Sequence, residues 1–99
     1  GHGKFEGVYG VAVHGEGSEQ RVAAVDYKGC RVNVFNVCSG ECVWSAGSKG
    51  DGPGQFENPK GVAFNERGEM FVSDFKLHRI CVFDVSGSYV RSFGESGQG

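Results

Sequence analysis

The residues best placed to do chemistry in this 99-residue chain are a carboxylate and a guanidinium that recur at one spacing. Asp26 stands five residues before Arg31, and Asp74 stands five before Arg79. A short turn between the members folds carboxylate toward guanidinium, and a two-pronged ion pair is the favoured geometry for that couple. A catalytic carboxylate has no need to appear twice at equivalent positions, whereas a structural strut does. Both pairs are therefore read as struts that hold a turn. The histidines His2, His14 and His78 share no equivalent position, and a metal site needs several ligands converging on one point. No metal or other cofactor is expected. Among Cys30, Cys38, Cys42 and Cys81 there is no C-x-x-C spacing, which disfavours zinc. Cys38 and Cys42 bracket a Ser-Gly-Glu turn, and a disulfide across it needs Cα atoms within about 7 Å. The alternative is free thiols serving as small apolar side chains in a reducing compartment, the cytoplasm. The glycine-rich stretch 47–54 has no Gly-Lys-Ser/Thr and opens no helix, so it is not a phosphate loop.

The elements that must carry these residues follow from a repeat. Eighteen glycines against two prolines, beside Val- and Phe-rich runs, point to short strands joined by tight turns. Shifted by 51 residues, positions 1–14 fall on 52–65 with 7 identities in 14. Shifted by 48, positions 26–37 fall on 74–85 with 6 in 12; shifted by 47, 40–52 fall on 87–99 with 6 in 13. The shift changes only in Gly-, Glu- and Ser-rich stretches, where loops tolerate insertion. The chain is thus read as two units, 1–51 and 52–99.

Each unit carries four strand signals. The first pair of signals is Val11–Val13 and Val62–Phe64, the second Val22–Val25 and Met70–Ser73. The third is Arg31–Val37 and Arg79–Val85, the fourth Cys42–Ala46 and Tyr89–Phe93. No segment has a 3.6-residue apolar period, so no helix is expected. The inner strands are apolar at successive residues, so both faces of each sheet need cover. An all-β fold of two four-stranded antiparallel propeller blades results.

Residues 54–94 resemble an NHL repeat. The motif runs through Gly54-Gln55-Phe56, Pro59, Gly61-Val62-Ala63, Asp74, His78-Arg79-Ile80 and Phe93-Gly94. The first unit keeps Phe5, Gly10-Val11-Ala12, Asp26, Arg31 and Gly47, but has Val8 for the proline, Cys30 for the histidine and Ala46 for the phenylalanine. The resemblance implies a six-bladed propeller, of which two blades are a part. Both outer faces would then be bare, and exposed apolar faces mark interfaces. The expected completion is either a parent chain or self-association, three two-blade units closing one ring.

In this family such propellers often end TRIM ubiquitin ligases, where they recruit substrate proteins or RNA, so the resemblance implies a non-catalytic protein-binding scaffold. RNA binding is one alternative, and a propeller lyase or hydrolase fragment with an axial metal is another. The loops after the second and fourth strands emerge at one end, bringing Lys4, Lys28, Lys49, Lys60 and Lys76 near Tyr9, Tyr27 and Phe75, with Glu6, Asp51, Glu57 and Glu95 as opposing charges. The candidate binding face is Lys28, Lys49, Lys60, Lys76, Tyr27 and Phe75, able to stack bases and contact phosphates. A net charge of −2 without charge blocks argues against binding nucleic acid through bulk charge. No apolar run is long enough to span a bilayer, so no membrane partner is expected.

Overall fold

A computed structural model of the chain describes residues 8–94, with Val8 and Tyr9 described by their backbone alone. The eight strands are β1 (Val8–His14), β2 (Arg21–Asp26), β3 (Arg31–Asn36), β4 (Cys42–Ala46), β5 (Pro59–Phe64), β6 (Met70–Asp74), β7 (Arg79–Phe83) and β8 (Tyr89–Phe93). They form two antiparallel sheets, β1-β2-β3-β4 and β5-β6-β7-β8, in which every strand pairs with its neighbour in sequence. The described helix is one 3-10 turn at Gly17–Glu19. These are two propeller blades.

Register decides which side chains meet. Cross-strand partners lie on one face of a sheet, so Ala23 sits beside Val34 and Val25 beside Val32 in the first blade. Met70 sits beside Phe83 and Val72 beside Cys81 in the second. These eight residues join Phe56 and Cys30 in one buried cluster between the blades, with Trp44, Ala46, Val62 and Phe64 packed against it. Strand alternation sends Val11, Val13 and Ala24 to the far side of the first blade, and Phe71, Ile80 and Phe93 to the far side of the second. On those far sides Val11 is 63% exposed, Val13 56% and Phe93 46%.

The first strands are longer than the apolar runs alone indicate. Each begins at a bulge, between Val8 and Val11 and between Pro59 and Gly61, and a proline is tolerated at the first residue of a strand. The inner strands β1 and β5 close up at Gly10, where a Cβ would lie 2.5 Å from the Lys60 carbonyl oxygen, so only glycine fits. The third strands stop earlier than expected. In the first blade the Asn36 side chain accepts the Ser39 amide; in the second the Asp84 carboxylate accepts the Ser86 and Ser88 amides. Each side chain pulls the backbone into a turn. All four cysteines are free. Cys42 stands across from Phe35 at a bulge while Cys38 belongs to the exposed turn, so the two do not face each other.

Candidate binding face

The turns 27–30 and 75–78 and the crossing loop 47–58 leave the sheets at one end, and the two Asp–Arg pairs sit beneath them. Asp26 is fully buried; its carboxylate accepts the Gly29 amide at 2.9 Å and lies 3.8 Å from Arg31 Nη2. The second blade departs from the expected direct pair. Asp74, 2% exposed, accepts four backbone amides: Glu57 at 2.7 Å, Asn58 at 3.2 Å, and Lys76 and Leu77 at 3.0 Å each. Arg79 instead donates to the carbonyls of Asp51, Gly52 and Gln55 at 3.1, 2.6 and 3.0 Å. The physical reason is the crossing loop. It passes over this turn and offers N–H groups to the carboxylate and C=O groups to the two terminal nitrogens of the guanidinium, so the charged ends find partners in the backbone.

Both turns end in a left-handed, non-glycine residue at one repeat position, Cys30 with φ 56° and His78 with φ 55°. Burial pushes the Cys30 thiol up, and nearby Lys49 pulls it back part of the way. Burial likewise raises the Cys81 thiol, against Arg79. Both cysteines are therefore packed as neutral side chains. His14 is the last residue of β1, its ring 5.4 Å from that of Phe64.

Lys60 and Phe75 are brought together, with the ammonium 5.0 Å from the ring centroid and Phe75 68% exposed. Lys28 and Lys76 are exposed on the equivalent turns, Tyr27 is half-buried beside Lys28, and Lys49 is exposed on the crossing loop. The two aspartates are consumed inside the fold. Exposed Asp51 and half-buried Glu57 remain as opposing charges. Lys4, Glu6 and Glu95, the side chain of Tyr9, and His2 lie outside the described residues. Among the described residues, no three His, Cys, Asp or Glu side chains gather as a metal site, and no helix is long and apolar enough to cross a membrane.

Two features had little signal in the sequence. One is the amide cage around Asp74, built from a loop far away along the chain. The other is the place of Phe56, fully buried between the blades; the motif and its recurrence with Phe5 mark the residue without saying what it packs against. Beside the Asp74 turn, on the far side of the second blade, is a cavity of about 380 Å³ reaching from Phe75 to Gly94.

No family-level sequence profile matches the chain. Individual relatives do. The protein brain tumor of Drosophila melanogaster is 44% identical over 45 residues, 46% of this chain and 4% of that protein. The RING finger protein nhl-1 of Caenorhabditis elegans is 40% identical over 53 residues, 54% of this chain and 5% of that protein. The B-box type zinc finger protein ncl-1 of the same organism is 50% identical over 36 residues, 36% of this chain and 4% of that protein. The chain thus matches about a twentieth of the length of these relatives. Among solved structures, a protein from Bacteroides fragilis superimposes with a TM-score of 0.72 at 18% identity, over 93% of this chain and 25% of that one. A luciferin-regenerating enzyme does so with a TM-score of 0.63 at 16% identity, over 92% and 31%. At those identities the likeness is one of fold. The ordered motif and these relatives make the chain similar to a pair of NHL repeats, and its two sheets are β-propeller blades.

Proposed function

We propose that the chain is a non-catalytic binding scaffold whose loop end takes a protein partner. The observation that supports this best is Phe75, 68% exposed at its turn with the Lys60 ammonium held over the ring. Binding energy at interfaces concentrates on a few anchors, among them aromatic side chains that become desolvated. Lys28, Lys49 and Lys76 around it favour a partner with an acidic rim, which they would steer and orient. In a parent protein of the kind named for RING-finger and B-box modules, this face would be the substrate-recruiting part of a TRIM-NHL-type ubiquitin ligase, acting in the cytoplasm.

Replacing Phe75 by a photo-crosslinking phenylalanine analogue tests the reading in cell extract. It predicts protein adducts that survive ribonuclease and vanish when Lys28, Lys49, Lys60 and Lys76 are all changed to Glu. Adducts that ribonuclease removes, and that weaken steeply with salt, would transfer the face to RNA, with bases stacked on Phe75 and Tyr27.

A further inference from the structure

One aromatic side chain plugs the junction between the blades. Phe56 is fully buried among Val25, Cys30 and Val32 of the first blade. Its ring lies so close to Gly47 that a Cβ there would fall 2.5 Å from it. The Cys30 thiol, 3.8 Å from the Glu57 carbonyl oxygen, donates to the residue that follows the plug. The second blade repeats this receptacle as an open cavity of about 380 Å³, lined among others by Ser73, His78, Ile80, Phe93 and Gly94. By the repeat, these are the positions of Val25, Cys30, Val32, Ala46 and Gly47. The backbone agrees as well: His78 has the φ of Cys30, 55° against 56°, and Gly94 that of Gly47, 114° against 105°.

We propose that this cavity is a socket for Phe5 of a second copy of the chain. Phe5 in Gly3-Lys4-Phe5-Glu6 is the repeat counterpart of Phe56 in Gly54-Gln55-Phe56-Glu57. The sheet faces fit the same docking. On the far side of the first blade, Val11, Val13 and Ala24 hold the repeat positions of Val62, Phe64 and Val72, which in the second blade pack into the junction. On the far side of the second blade, Ile80 and Val82 hold the positions of Val32 and Val34, which in the first blade do the same. One copy's first blade therefore fits another copy's second blade as the two already fit within a chain. His78 takes the place of Cys30 and is positioned to donate a ring N–H to the carbonyl that follows the incoming phenylalanine. Such contacts run head to tail and stop only when a ring closes. Propellers hold 4–8 blades, and the six blades that the NHL resemblance implies correspond to three two-blade copies.

The inference goes beyond the loop-face reading; Phe75 borders both the cavity and the loop face, and the test reads the number of copies rather than capture of another protein. Phe5→Ala removes the plug, and Ile80→Lys puts an ammonium on the socket wall; each variant keeps the other half of the contact. Light scattering on the separated particle is expected to give three chain masses for the unaltered protein and one for each variant alone. Mixing the variants in equal amounts is expected to give two chain masses, because Phe5 of the Ile80→Lys chain enters the intact socket of the Phe5→Ala chain. Misfolded variants could not complement in this way. An unaltered chain that runs as a folded single copy, variants that retain its mass, or variants folded by circular dichroism that fail to pair would each overturn the proposal.

Discussion

Asp74 ties two separate pieces of chain to the end of the second blade, since its four amide donors come from the crossing loop and from its own turn. Replacing it by Ala strands four N–H groups in a place with little water. Hydrogen bonds to a charged acceptor are worth roughly 1.5–3 kcal/mol each in favourable cases, and the loss is only partly made good by relaxation. Asp74→Ala is expected to cost about 3 kcal/mol in urea unfolding, while Lys76→Ala on the same turn stays within about 0.5 kcal/mol. Asp84 acts at the opposite end. The Ser86 hydroxyl, with the Ser88 and Ser86 amides, holds its carboxyl below the usual range. Its folded value is depressed, so the contribution is present above the unfolded carboxyl value of about 3.9 and fades as pH falls through the folded one. Acid titration of stability should show that fade in the unaltered protein and lose it in Asp84→Asn. The recurrence of Asp and Arg was plain in the sequence. Their separate partners in the second blade were not, because those partners are backbone groups of a loop whose path depends on tertiary packing.

Phe56 belongs to the scale of elements, because it lies between the two sheets and in neither. Truncating a fully buried phenylalanine typically costs about 3–5 kcal/mol. Phe56→Ala is expected at the upper part of that range, with one cooperative unfolding step becoming broader as the blades lose their shared cluster. Calorimetry checks both. The same energy for Phe56→Ala as for an exposed substitution, with the transition unchanged, would show that the blades do not rely on this plug. Strands β4 and β8 were legible to the residue, because Cys42–Ala46 and Tyr89–Phe93 are bounded by clear turn residues. The starts of β1 and β5 were not, since Gly10, Pro59 and Gly61 look like loop residues until the close approach of the inner strands explains them.

At the scale of the whole molecule, the blades share one face with each other and leave two unshared. Val11 and Val13 stand more than half open to water on those faces and Phe93 nearly half, at repeat positions whose counterparts in the other blade face the shared cluster. A sheet with continuous apolar strands is not fully stabilised with one face covered, so the proposed docking gives the stability of the chain a term for its neighbours. Such a term scales with concentration when the neighbour is another copy. The most direct measurement is thermal unfolding across about a hundredfold range of protein concentration. The account predicts a melting temperature that climbs with concentration, and climbs no longer once Ile80→Lys blocks the second blade's outer face. A sharp, reversible melt at one temperature over the whole range, from a particle of single-chain mass, would contradict it.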